Sequence, residues 1–345
     1  MFRQDRTNPS TAISNWRGRH DTAKGWPSTA VSSWLNGGLF GDAFVVGAGV
    51  YFGASWRVGS GNPNLDSIDR LLFADESCAA ISATLSAGIK GGLGLANSGT
   101  AGYFGAGGEG DSGLQDYIQK LDFTNGTVAT ITPTLSAATE DGAGCANSGT
   151  AGYWALGDAG GLTDVIDKTA FSNDATAAIT PTLSVARKML AANANSGTAG
   201  YWCGGRVSGA SDVIDKTAFS DDATAALAAT ISYSSWGNMG LANSGTAGYT
   251  AGGYPMTAVI DKLTYASDGN AAITPTLSAQ RWGGNTGSLS GTAGYWGGGS
   301  TSGANADYVT TIDKTAFSDD STAALSATLT TPRVVCSGFG DDSGL

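Results

Sequence analysis

The chain has 345 residues, of which 53 are glycine, 41% are hydrophobic and only 14% are charged. Small residues dominate, but the apolar ones recur in register, which argues for tightly packed sheets rather than disorder. A net charge of −11 and a single histidine, His20, argue against a phosphate-backbone partner and against any triad or metal pair that needs histidines.

At the start of the chain, residues 1–26 carry Arg3, Arg6, Arg17, Arg19 and Lys24 against Asp5 and Asp21. This basic N-terminal arm is expected to be solvated or to dock on an acidic protein surface. The body, 27–345, is expected to form one domain. No apolar run reaches the ~18 to 20 residues that cross a membrane, and the opening Met1-Phe2-Arg3 begins no signal peptide. The expectation is a soluble chain with neither a membrane nor a nucleic acid as partner. Cys78, Cys145, Cys203 and Cys336 share no spacing and form no CxxC, so they read as isolated thiols.

The body is repetitive. Ser-Gly-Thr-Ala-Gly-Tyr ends at Tyr103, Tyr153, Tyr201, Tyr249 and Tyr295, and a degenerate copy ends at Tyr51. These six tyrosines stand 52, 50, 48, 48 and 46 residues apart, the sequence sign of a solenoid or propeller. Between Leu183 and Ser232 the unit divides into four short parts. The first follows Leu183-Ser184 and ends in Ala194-Asn195; the second is Thr198-Ala199-Gly200-Tyr201-Trp202 and two more glycines; the third contains Ile214-Asp215-Lys216; the fourth runs from Ala225. Each is bounded by Gly, Asn, Asp or Ser, so each predicts a strand and the unit predicts a four-stranded blade. Asn195-Ser196-Gly197 predicts the first hairpin turn and Ser220-Asp221-Asp222 the last.

A period of about 49 divides the chain into about seven units. Residues 28–35 resemble 321–328, residues 12–16 offer a strand before them, and 328–339 repeat the last and first parts of the unit. The two ends are expected to join as a seventh blade that hides both open edges. The predicted fold is an all-β propeller of seven four-stranded blades, with six blades plus terminal extensions as the alternative.

With Leu329-Thr330-Thr331-Pro332-Arg333 before an inner strand, an aromatic strand running into glycines, and Ile-Asp-Lys-Thr-Ala-Phe in the third strand, the unit resembles the kelch repeat. It lacks the tryptophan of the kelch last strand. The phrases Asn-Ser-Gly-Thr-Ala-Gly-Tyr and Ile-Asp-Lys-x-x-Phe are similar to kelch-type proteins of tailed bacteriophages, those of cyanobacteria and other aquatic hosts among them. That likeness implies a virion protein, made in the host cytoplasm. A kelch-type copper oxidase would need paired histidines that are missing here. Ser220-Asp221-Asp222-Ala223-Thr224 lacks the Gly and Trp of a sialidase Asp box.

The strongest recurring polar pair is Asp-Lys, at Asp167/Lys168, Asp215/Lys216, Asp261/Lys262 and Asp313/Lys314. An active site needs one constellation rather than a ring of copies, so these pairs are expected to be structural. Kelch geometry would put both hairpin turns, which are uniform, on one face, and the connections of varying length on the other. The variable loops hold Trp56, Arg57, Glu109, Arg206 and Tyr254 in one set, and Lys90, Arg187, Trp236, Arg281, Trp282 and Arg333 in the other. Aromatic and arginine side chains anchor recognition surfaces, so these are the candidate binding residues. The expectation is a non-enzymatic interaction protein of a phage tail, fibre or head appendage. It would bind other virion proteins and host glycans or proteins, need no metal or cofactor, and allow a homo-oligomer. A glycan-cleaving enzyme needs only two carboxylates and is the alternative; an intracellular kelch-type scaffold is a further one.

Overall fold

A computed structural model describes residues 48–55, 64–109, 113–289, 291–303, 307–334 and 337–341. The basic arm, the candidate strands at 12–16 and 28–35, the boundary at 27, and Trp56 and Arg57 lie outside these residues. Among the described residues the structure is all strand and turn. Blade one contains β1 (Gly49–Gly53), β2 (Ser67–Leu72) and β3 (Cys78–Thr84); blade two, β4 (Leu93–Asn97), β5 (Ala101–Glu109), β6 (Gly113–Asp122) and β7 (Val128–Thr130). Blade three has β8 (Ala143–Asn147), β9 (Ala151–Ala155), β10 (Ile166–Ala170) and β11 (Thr176–Ala178). Blade four has β12 (Ala191–Asn195), β13 (Ala199–Cys203), β14 (Ser211–Ala218) and β15 (Thr224–Ser235). Blade five follows with β16 (Met239–Asn243), β17 (Ala247–Ala251), β18 (Ile260–Thr264) and β19 (Gly269–Ala272); blade six with β20 (Asn285–Leu289), β21 (Ala293–Gly297), β22 (Thr311–Ala316) and β23 (Thr322–Thr328). The last strand, β24 (Ser337–Asp341), returns to blade one and pairs antiparallel with β1, Tyr51 opposite Phe339.

The propeller therefore has six blades, not seven. The ends do close the ring, but they complete the blade of Tyr51 instead of building another. β24 is that blade's innermost strand, and 322–328, whose counterpart was sought at 28–35, is the outer strand of blade six. No seventh place is open, because β24 packs directly against β20 on one side and β4 on the other. A Cβ on Gly287 of β20 would lie 2.8 Å from the Phe339 backbone, and one on Gly94 of β4 would lie 3.1 Å from Gly338.

Each blade buries the first five residues of its second strand on both faces, which is why no charge occurs there: Ala199–Cys203 and its counterparts are buried throughout. In every blade the tyrosine of this strand stacks on an aromatic ring of the next blade. The pairs are Tyr51 with Phe123, Tyr103 with Phe171, Tyr153 with Phe219, Tyr201 with Tyr265, Tyr249 with Phe317 and Tyr295 with Phe73, at centroid separations between 4.9 and 5.7 Å. The hydrophobic core is thus a ring of layers between blades, continuous from one unit to the next.

Antiparallel pairing puts both hairpin turns of each blade on one face of the ring. The connections from second to third strand, and from fourth strand to the next inner strand, lie on the other.

Candidate binding face

The turn face is knitted by repeat-specific hydrogen bonds. Asn97 Oδ1 accepts from the amide of Gly149 (2.7 Å), Asn147 from Gly197, Asn195 from Gly245, Asn243 from Gly291, and Asp341 from Gly99 (2.8 Å). Near its rim the Asp-Lys pairs divide their labour. The lysine reaches the carboxylate in the last turn of the following blade: Lys120 to Asp174, Lys168 to Asp222, Lys216 to Asp268, Lys262 to Asp320 and Lys314 to Glu76. The same carboxylates accept from the hydroxyls of Tyr103, Tyr153, Tyr201, Tyr249 and Tyr295. Burial first, and the bond to the acid second, push the phenols of Tyr153, Tyr201 and Tyr249 up, so they stay donors. The aspartate points the other way. Asp69, Asp167, Asp215, Asp261 and Asp313 each accept from the amide of Thr330, Ser136, Ser184, Ser232 and Ser278, and Gln119 does so from Ser86 in blade two. These pairs are an inter-blade and intra-blade scaffold.

The three loop arginines belong to it as well. Arg187, Arg281 and Arg333 are buried, and pair with Asp215 (2.6 Å), Asp313 (2.8 Å) and Asp69 (3.0 Å). They also donate to carbonyls of the second strand, Arg187 to Trp202 and Gly204, Arg281 to Trp296, and Arg333 to Phe52. The expectation that they stand on the surface for recognition is thereby corrected: each guanidinium lies inside its own blade, where its charge is compensated and its donors face backbone oxygens.

The residue after each arginine position does face the loop side. There it makes a two-residue antiparallel bridge with the residue after the glycine pair or its counterparts Ala106-Gly107 and Leu156-Gly157: Lys90 with Gly108, Glu140 with Asp158, Lys188 with Arg206, Trp236 with Tyr254, Trp282 with Ser300. Beneath them Asp141, Met189, Gly237 and Gly283 donate their amides in turn to the carbonyls of Gly91, Asp141, Met189 and Gly237, at 2.5 to 2.8 Å. This arc of backbone bonds narrows the loop-side mouth of the central channel, whose walls at Gly94, Gly144, Ala192 and Gly240 are small and uncharged.

The bridges carry a chain of side-chain contacts. Lys90 Nζ lies 3.2 Å from Glu140, and Lys188 Nζ lies 2.8 Å from Asp158 and 3.4 Å from Asp141. Burial and the neighbouring Glu140 raise the Asp141 carboxyl to about 6, against the pull of Lys188 and Lys90. The hydrogen bond from Lys188 holds Asp158 below its ordinary value. Glu109 accepts from the Tyr117 hydroxyl at 2.5 Å. In blades five and six the chain turns aromatic. Trp236 lies 4.9 Å from Tyr254 and 5.2 Å, edge-on, from Trp282, whose indole N–H donates to Ser302 O. The exposed Arg206 guanidinium covers the Trp236 ring at 5.5 Å.

The structure therefore gathers Arg206, Trp236, Tyr254 and Trp282 into one cluster, places Lys90 on the same face, and holds Glu109 at the end of β5. The sequence reading missed Glu140, Asp141, Asp158 and Lys188. Glu140, Lys188 and Asp158 had a signal, since they occupy the same two loop positions as Trp236 and Tyr254, and Asp141 stands one residue on, where Gly237 follows Trp236. No protein-family model and no curated protein sequence matches the chain.

Proposed function

We propose that the protein is a non-enzymatic binding platform, a kelch-like propeller of a tailed-phage virion that recognises its partner with the loop face. The observation that carries this reading is a contrast in how polar groups are used. The charged groups that recur through the repeat, its Asp-Lys pairs and its buried arginines, are engaged in scaffold bonds, whereas Arg206 and Tyr254 stand exposed, and Trp236 half-buried between them, on backbone bridges. Rigid, open aromatic and guanidinium groups are what recognition surfaces use at low entropic cost. Binding is favoured over glycan hydrolysis because Asp141 and Asp158 share Lys188 and Glu140 faces Lys90. Two carboxylates engaged by ammonium groups are poorly placed as acid and nucleophile. The repeat phrases and the turn chemistry support the phage reading, and the partners are other virion proteins or the host surface.

The test is binding of the full chain to purified virions and to host cells. A Trp236→Ala, Tyr254→Ala variant should lose at least about tenfold in affinity, the scale of truncating one buried aromatic anchor. An Asp221→Ala, Asp319→Ala variant of the exposed turns should keep it. The opposite pattern would assign binding to the turn face.

A further inference from the structure

We infer that the Arg206, Trp236 and Tyr254 cluster binds a carboxylated saccharide, its ring stacked on the aromatic side chains and its carboxylate paired with Arg206. This rests on the reading of the loop face as a binding surface and supplies the class of ligand.

The charge of the ligand follows from Arg206. Among the described residues every lysine and arginine other than Arg70 and Arg206 lies within ion-pair distance of a carboxylate. Arg70 hydrogen-bonds Tyr51. Arg206, exposed, has the face of Trp236 and no acid, although the chain carries 29 Asp and Glu against 18 Lys and Arg. A guanidinium laid over an indole is held in place by the ring while its edge, with its forked N–H donors, stays open to a planar anion. A carboxylate fits that fork.

The rest of the ligand follows from what surrounds the fork. Trp236 and Tyr254 meet at 42°; Trp236 is half-buried beneath Arg206, and Tyr254, 37% exposed, supplies the open aromatic surface beside the fork. Trp282 backs Trp236 edge-on and is anchored through Ser302, so the platform is stiff. Its backbone offers nothing to a peptide strand: the Trp236 amide bonds Tyr254 O at 3.0 Å and the Tyr254 amide bonds Trp236 O at 2.7 Å. At this bridge a partner meets side chains and not open backbone, which suits the C–H face of a sugar ring lying on an aromatic plane. A ring that also bears a carboxylate satisfies both halves of the site at once.

The experiment is calorimetric titration of the full chain with tri-galacturonate and with its methyl ester, which differ in charge and not in ring. Tri-galacturonate should bind about tenfold or more tighter than the ester, the scale of one charge-assisted hydrogen-bonded pair. Arg206→Gln, a surface change that leaves the fold intact, should erase that preference. Trp236→Ala should weaken both ligands. Equal affinity of the two in the unaltered protein, a preference that survives Arg206→Gln, no binding of either, or equal binding of a hexaglutamate peptide would each overturn the inference. If neither sugar binds but the Trp236, Tyr254 variant still loses virion or cell binding, only the ligand class fails. If that binding is also kept, the reading of the face fails with it.

Discussion

Wherever two blades meet, one of two facing residues has given up its side chain. Gly152 takes Leu95 of the preceding blade, Gly200 takes Cys145, Gly248 takes Asn193, Gly294 takes Leu241 and Gly102 takes Phe339; a Cβ on Gly200 would fall 2.5 Å from the Cys145 sulfur. This is why the glycine of Ala-Gly-Tyr recurs. At the sixth junction the two partners are exchanged: Val50 stands in the glycine position, and the inner strand of blade six answers with Gly287, whose Cβ would fall 2.5 Å from Val50. Volume is conserved across the contact and not at either residue. Val50→Gly alone should cost roughly 1.5–3 kcal/mol for the lost burial and cavity, and Gly287→Leu alone roughly 1–3 kcal/mol for overpacking. The double variant restores the arrangement of the other five junctions. Urea unfolding of the cycle should show a coupling of at least ~1 kcal/mol, and additive losses would mean that the exchange is accidental.

The third strand can be read almost residue by residue. In Ile214-Asp215-Lys216-Thr217-Ala218-Phe219 the isoleucine is core, the aspartate caps the Ser184 amide, and the lysine reaches Asp268 of the next blade. Thr217 accepts the indole N–H of Trp202 at 2.9 Å, and Phe219 receives the ring of Tyr153. Substitutions move together. Trp154 and Trp296 also have threonine acceptors, whereas Phe52 and Phe104, with no N–H to satisfy, have Leu71 and Leu121 at that place. Strands and turns were legible because each of these constraints recurs every unit; the six tyrosines do mark the six blades, and the expected seventh came from dividing the chain length by the period and from the likeness of 28–35 to 321–328. The fate of Arg187, Arg281 and Arg333 was hidden because a loop arginine does not announce whether it turns inward. One clue did exist in blade two, where Ile89 replaces the arginine and Gln119 replaces its aspartate. The loop bridges recur in position but not in chemistry, so their alignment was readable from the repeat while the contacts that join them into charged and aromatic arcs emerged only with the fold.

One loop position carries a pH dependence. Asp141 adopts φ 60°, where three counterparts are Gly91, Gly237 and Gly283, and its carboxyl is buried against Lys188, Glu140 and Lys90. Its value of about 6 lies above the ordinary 3.8, so between those two values the folded state holds more proton than the unfolded one. Stability from this group is therefore present at low pH and is lost as pH rises through about 6. Lowering the pH from about 7 to about 5 should stabilise the protein through Asp141 by about 1 kcal/mol. Asparagine tolerates the same backbone but cannot titrate. In Asp141→Asn the shift in unfolding free energy between those two conditions, measured by urea unfolding, should fall short of the parent's by that amount. Equal shifts would place the titrating group elsewhere.

At the scale of the whole molecule, stability depends on one short strand. Each blade touches only its two neighbours, so an array of blades gains its last interface only if the ring closes, and β24 is the segment that closes it. Its Phe339 is buried among Tyr51, Phe104 and Phe123, at 4.8 Å from Phe104, and fills the space left by Gly102. Its Asp341 carboxylate accepts the Gly99 amide, extending the hydrogen bonds of the turn face across the junction. Without residues 337–345, β1 would become an open edge and the contacts with β4 and β20 would be lost together. Loss of a buried phenylalanine alone costs about 3–5 kcal/mol, against a typical folding margin of ~5–15 kcal/mol. The truncated chain should melt well below the full chain and be cleaved first in β1 to β3. A synthetic peptide of residues 337–345 should protect it by re-forming the pairing of Tyr51 with Phe339. A truncated protein that melts cooperatively within a degree or two of the full chain, with no response to the peptide, would mean that the ring is held without its closing strand.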